Sequence, residues 1–423
     1  MRPMTKNSHH LLFLAIGAVV LAGFGRPNVA HASWSSEGHA AGAQCGTSGV
    51  NDNGVAAGTC TSIDPGGQLT AWVAINGVQT PLPSLAAGQP CSAGGVSDSG
   101  DVIGNCMDSD ENAFGTFWTI DDPGSATVLQ PLAAVTLLGV IQIDPDISTI
   151  ATSFNQSGFI GGVSFNANGG RTAALWMPGS STAVAVSERG ENCDIAYINN
   201  SNVNGAPSIA LNCANDSGTT TPYIAQATGG LLGTGLLRAY VKTPLPLPSG
   251  SSDCEVVAVN DSVQALGTCY FPGSSPEAAF WPSLSSAPTL LSEGGLPDGA
   301  RTAGAFLNNN GNAVVQYLDT SGKTQSAFWN TSAAQLNLIL PVSGGTQTEA
   351  AGLADDDIVI LTSEGGNEHV QAAKWTIGGG TEAYGDYGGG QESEAIDISQ
   401  TGNYTAGVGE DSAENENALV SPN

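Results

Sequence analysis

The sequence predicts an all-β fold: a β-propeller of, most simply, eight four-stranded blades. Three observations predict it. A pattern of short apolar runs and polar turns recurs about every 45 residues, the length of one propeller blade. Six of the seven Trp residues (Trp72, Trp118, Trp176, Trp281, Trp329 and Trp375) stand at the end of a copy. Three cysteine pairs, Cys45/Cys60, Cys91/Cys106 and Cys254/Cys269, share one separation of 15 residues.

Each copy decodes in the same order. Residues 45–75, 91–120 and 254–281 carry a short apolar run, an Asn/Asp/Ser/Gly turn, a second run ending in Gly-x-Cys, a variable loop and an aromatic third run. The runs have strand length, and the turn chemistry is that of hairpins. A fourth strand comes next, as at 77–82, where Pro81 suits a sheet edge. Copies without cysteine lie at 149–176, 303–329 and 350–375. A degenerate copy spans 193–225, with Tyr223 near the Trp position, and a last one spans 392–419, with Leu419 there. Without a true blade over 193–252 the ring would have seven. The markers Trp176 and Trp281 follow the previous ones by 58 residues, which reads as loop insertion in units three and five.

Each equally spaced cysteine pair is centred on a turn, between Asp52 and Asn53, Asp98 and Ser99, and Asp261 and Ser262. Opposed antiparallel residues lie close enough for a disulfide. The wider pair, Cys193/Cys213, is centred on Val203 in a longer polar loop. The expectation is four hairpin disulfides, one in each of four blades. The chain stops after the third strand of the last copy, and residues 33–44 are available to complete that sheet and close the ring. Closure removes exposed edges. An open solenoid would need capping units, and neither end reads as one.

The pattern resembles the bacterial extracellular HAF-type repeat, most closely over Asn51–Trp72, Asn155–Trp176 and Asn308–Trp329. The family's His-Ala-Phe triplet is replaced here by Ser326-Ala327-Phe328 or Ala278-Ala279-Phe280 before Trp. The resemblance implies an exported, propeller-like protein and no particular chemistry.

Composition agrees with a folded, exported chain. Hydrophobic residues make up 41% and charged residues 11%, so the sequence is globular. Residues 1–32 read as a signal peptide: Arg2 and Lys6, an apolar core over 11–24, then Ala30-His31-Ala32. The mature chain, 33–423, is expected to be a single propeller domain, secreted or periplasmic, with no later membrane span. Removing the signal takes away Arg2, Lys6 and Arg26 and no acid, moving the formal charge from −28 to −31. That field excludes a simple grip on nucleic acid or anionic lipid.

Chemistry is sparse. The mature chain has two histidines, His39 and His369. No Gly-x-Ser-x-Gly elbow is present, and Gly229–Gly235 lacks the Lys-Ser/Thr of a phosphate loop. The cysteines are committed to bridges, and no catalytic, metal or cofactor residue is assigned. Asp108, Asp110 and Asn112 open like a calcium loop, but Ala113 and Thr119 stand where Gly and Glu belong. Asp355–Asp357 fills a hairpin turn, where acids are ordinary. The function expected is a non-catalytic, monomeric scaffold whose loop faces bind a protein, glycan or surface component. The alternative is a carbohydrate-active hydrolase or lyase, which requires two carboxylates, or His369 with a Tyr or Arg such as Arg301, to converge at one axial mouth.

Overall fold

The computed structural model describes residues 34–37, 43–63, 67–137, 141–201, 205–228, 240–294, 296, 300–366 and 369–423. His39 and the Gly229–Gly235 stretch lie outside them. Eight antiparallel four-stranded sheets form the propeller. Strands are lettered a to d from the axis outward. Blade one is Ala43–Val50, Ala56–Ser62, Leu69–Ile75 and Val78–Pro81, and blade two is Cys91–Val96, Val102–Met107, Ala113–Thr119 and Asp122–Val128. Blades three to seven repeat the order, with strands a at Ser148–Phe154, Cys193–Ile198, Asp253–Val259, Arg301–Leu307 and Thr348–Leu353. The degenerate 193–225 copy is therefore a true blade.

Blade eight takes strands a to c from Gly389–Ile398, Tyr404–Asp411 and Glu416–Pro422. Its strand d is the N-terminal Ser35–Ser36, paired with Val420 and Leu419. The ring is closed by its two ends, as expected. Trp34, the one Trp outside the repeats, comes in with that strand and is buried against Tyr384, ring centroids 4.8 Å apart. The insertion before blade three holds its own hairpin, Val135–Leu137 with Ile141–Ile143.

All four disulfides form, with Cys45 opposite Cys60, Cys91 opposite Cys106, Cys193 opposite Cys213 and Cys254 opposite Cys269. In the other four blades the same register positions hold Thr149/Ser164, Thr302/Tyr317, Thr348/Ser363 and Ser393/Gly409. There the strand-a hydroxyl accepts a backbone N–H from strand c of the preceding blade: Gly115, Ala278, Ser326 and Ala372, at 2.7 to 3.1 Å. One slot thus carries either a cross-link within a blade or a hydrogen bond between blades.

The Trp markers divide into two classes. Trp118, Trp176, Trp281, Trp329 and Trp375 share one register position, opposite the start of strand b. Trp72 lies two residues earlier, opposite Gly58, and Tyr223 and Leu419 align with it and not with the other five. Trp118, Trp176 and Trp281 donate their indole N–H to Pro83, Gln130 and Pro246 of the preceding connection. Among the described residues the core is eight apolar clusters, one for each blade-to-blade interface. Strands b are buried on both faces over most of their length, which explains their near-continuous small apolar runs.

Candidate functional site: the axial cavity

Every strand a carries a β-bulge at the same height, after Thr47, Ala93, Ala151, Ile195, Val256, Gly304, Ala350 and Ala395. A bulge bends the strand and re-aims the side chains beyond it. It also brings a strand-a carbonyl against strand b: a Cβ on Gly58, Gly104, Gly162 or Gly267 would lie 2.0 Å from that oxygen. The Gly of the Gly-x-Cys motif fits this close approach, whereas blades four, six and seven carry the same bulge with Leu211, Val315 and Leu361 at that position.

The residues just past the bulges read Gly49, Gly95, Ser153, Tyr197, Ala258, Phe306, Gly352 and Asp397. Large side chains from blades four, six and eight alternate with small ones around the axis. The small neighbours are obligatory where the fit is tight, since a Cβ on Gly352 would meet Ile398 at 2.8 Å. Behind the a–b turns this arrangement leaves a cavity of about 370 Å³, lined from seven blades. Tyr197, Phe154 and Phe306 supply aromatic surface, Asp397 a carboxylate, and among the described residues no Lys, Arg or His lines it.

The a–b turns form the mouth. Their first residue is Asn in five blades. Asn51, Asn155, Asn199, Asn260 and Asn308 each accept N–H groups of their own turn through Oδ1 and donate Nδ2 to the corresponding backbone carbonyl of the next blade. Their second residue is Asp52, Asp98, Gln156, Asn200, Asp261, Asn309, Asp355 and Gln400, four acids and four amides. From Gln156 to Asn309 each of these donates its backbone N–H to the side-chain oxygen of the next: Gln156 to Asn200, Asn200 to Asp261, Asp261 to Asn309, Asn309 to Asp355, all at 2.9 to 3.0 Å. Gln400 Nε2 donates to Asp355 Oδ2, and Asn200 Nδ2 reaches Gln400 Oε1 at 3.1 Å. Blades four and eight face each other, so this last bond crosses the axis.

Electrostatics follow from the geometry. Asp397 accepts the Val50 N–H at the seam between the last and first blades, and burial pushes its carboxyl up to about 7. Tyr197 presents 41% of its surface, but its hydroxyl lies deep. Burial, followed by the charges of Asp397, Asp261 and Asp355, pushes it up to about 12. Burial and the neighbouring Asp52 raise Asp98.

Three carboxylates, Asp261, Asp355 and Asp397, therefore do converge at one axial cavity. His369 does not join them: it is buried beyond strand b of blade seven, its Nδ1 3.6 Å from Glu392. Arg301 is exposed at the opposite end of strand a in blade six. Asp108 is exposed and accepts the N–H groups of Asp110 and Asn112 in its own turn, which holds it below the usual carboxylate range. Asp357 accepts from Asn308 and Asn312. Among the described residues, the one cluster of three metal-type donors joins Glu191 to Cys193 and Cys213, whose sulfurs are in a disulfide. The ring at the second turn position escaped sequence reading, which saw only hairpin turns. Stacking the eight turns would have shown an acid or amide at that position in every copy.

No family model and no curated protein matches the chain. Among solved structures it is similar to the β-propeller domain of the Trilobed protease from Pyrococcus furiosus, with 10% identity, a TM-score of 0.50, and coverage of 82% of this chain and 98% of that one. It is also similar to a puromycin-hydrolyzing peptidase of Mycobacterium tuberculosis, at 13% identity and TM-score 0.52 over 91% of this chain. A third likeness is prolyl oligopeptidase B of Galerina marginata, at 11% identity and TM-score 0.54 over 89% of this chain. What these likenesses share with the chain is a fold. The chain spans 62% and 55% of the two peptidases' lengths. The Pyrococcus domain is described as having an open velcro topology, whereas here Ser35–Ser36 closes the last blade.

Proposed function

We propose that this protein is an exported, monomeric, non-catalytic HAF-type propeller that acts as a binding scaffold for a protein, glycan or surface component, using the axial cavity and the a–b turn face around it. The observation that carries this reading is how the axial acids are employed. Asp261 and Asp355 are acceptors in the hydrogen-bond ring that joins neighbouring blades. Groups so engaged hold the turn face in shape, which is what a binding surface requires. Export is supported by the pairing of all eight cysteines and by the signal-like residues 1–32. Calcium at Asp108 or Asp355–Asp357 is not part of this reading, since those carboxylates already hold their own or neighbouring turns.

A carbohydrate-active reading has one observation in its favour, the convergence of Asp397, Asp261 and Asp355 beside Tyr197. Thermal melts of the oxidised protein against oligosaccharides, calcium and cell-surface extracts separate the two. Binding raises the midpoint with ligand excess. A ligand that shifts the melt and is recovered unchanged supports the scaffold. A saccharide that is cleaved by the wild type and left intact by Asp397→Asn overturns it.

A further inference from the structure

We infer that the axial cavity is a binding site for a small organic ammonium cation, an inference that rests on the scaffold reading and names the ligand class. The walls are of two kinds. Phe154, Tyr197 and Phe306 offer aromatic surface, and Asp397, Asp261 and Asp355 bring three carboxylates to the same space. Among the described residues no cationic side chain lines the cavity, so none of those lining it neutralises that charge. Asp261 and Asp355 are bonded to amides and backbone N–H groups, which satisfy lone pairs and leave the charge in place.

The volume, about 370 Å³, is in the range of small-molecule sites. It exceeds what a bare metal ion needs, and aromatic surface offers such an ion no ligand atom. Aromatic faces and carboxylates together are what a desolvated alkylammonium prefers. A neutral sugar would use the amides and the aromatic surface but leave the charge unanswered. The Asn200–Gln400 bond across the axis links two side chains only, so it can open to admit a ligand without breaking a strand pairing.

The test is isothermal titration of the oxidised protein at pH 8 and low salt with choline, its neutral isostere 3,3-dimethylbutan-1-ol, calcium and glucose. Choline is expected to bind about tenfold or more tightly than the isostere. Asp397→Asn keeps an acceptor for the Val50 N–H and should weaken choline about tenfold while leaving the isostere unchanged; Phe306→Leu should weaken both. A single cooperative melt for either variant without ligand shows that the fold is intact. Equal binding of choline and isostere, choline binding insensitive to Asp397→Asn, or binding of calcium without choline overturns the inference. Glucose that binds in a Phe306-dependent way without choline overturns the ligand class and leaves the scaffold reading standing. Silence from all four probes removes the cavity from that reading altogether.

Discussion

Val263 stands fourth in the a–b turn of blade five with φ 59°. Gly54, Gly100, Gly158, Gly311 and Gly402 hold that place in other blades, with φ from 74° to 90°. The turn needs a left-handed residue, and a β-branched one is strained there. Val263→Gly should stabilise the protein by about 1 kcal/mol, read as a rise in the urea midpoint at unchanged slope; a fall would mean that the packing of Val263 against its blade-four and blade-five neighbours outweighs the strain. The first residue of the same turn shows how much the sequence discloses at this scale. Asn260 is legible as a turn former from its type alone. That its Nδ2 also reaches the Asn308 carbonyl of the next blade is not, because the partner lies outside the local chain.

At the scale of the element, the cysteine slot is the informative feature. Its register follows from spacing, since paired residues must sit symmetrically about a turn, and all four bridges were readable in this way. What spacing could not disclose is the substitute used by the cysteine-free blades, a hydroxyl bonded to the preceding strand c. The exchange suggests its own test in blade two. Replacing Cys91 and Cys106 by Ala should cost about 3 kcal/mol on the chain-entropy model. The double variant Cys91→Thr, Cys106→Ser, which copies Thr348/Ser363, should recover about 1 kcal/mol of that through a bond to Ala71. Equal denaturation midpoints for the two variants would show that the hydroxyl contributes nothing in this slot. The bulges belong to this scale too. They went unread because the alternation along strand a is short: in blade five Cys254 and Val256 are buried with Asp253 and Glu255 less so, and the bulge follows directly.

For the whole molecule, charge sets the response to pH. Burial raises the carboxyls of Asp397, Glu394, Asp194 and Glu37 in the folded protein. Between about pH 4 and pH 7 the folded state therefore holds more protons than the unfolded chain, and stability falls as pH rises through that window. Below it, carboxyls held low by their turns, such as Asp319 and Asp411, lose their contribution. The melting midpoint should peak in mildly acidic solution and decline towards pH 8. Asp397→Asn, at a site facing Tyr197, Asp261 and Asp355, should flatten the upper part of that decline. A midpoint that climbs steadily from pH 5 to pH 8 would contradict the assignment of these groups as buried acids.

The sequence by itself determined the blade, its turns, the cysteine pairing and the closure of the ring, and it left the count at eight or seven. Each of these is written in short-range spacing or in the repetition of a pattern, and both survive in a linear string. Tertiary structure alone decided what the blades make together. Trp34 enters blade eight from the other end of the chain, Asn200 meets Gln400 from 200 residues away, and Asp397 accepts from Val50 across 347 residues. Side chains that read as ordinary turn and strand residues become a ring and a cavity only when closure brings them to one axis. The physical reason is that hairpins are specified by neighbours within one copy, whereas the axial site is specified by eight copies at once.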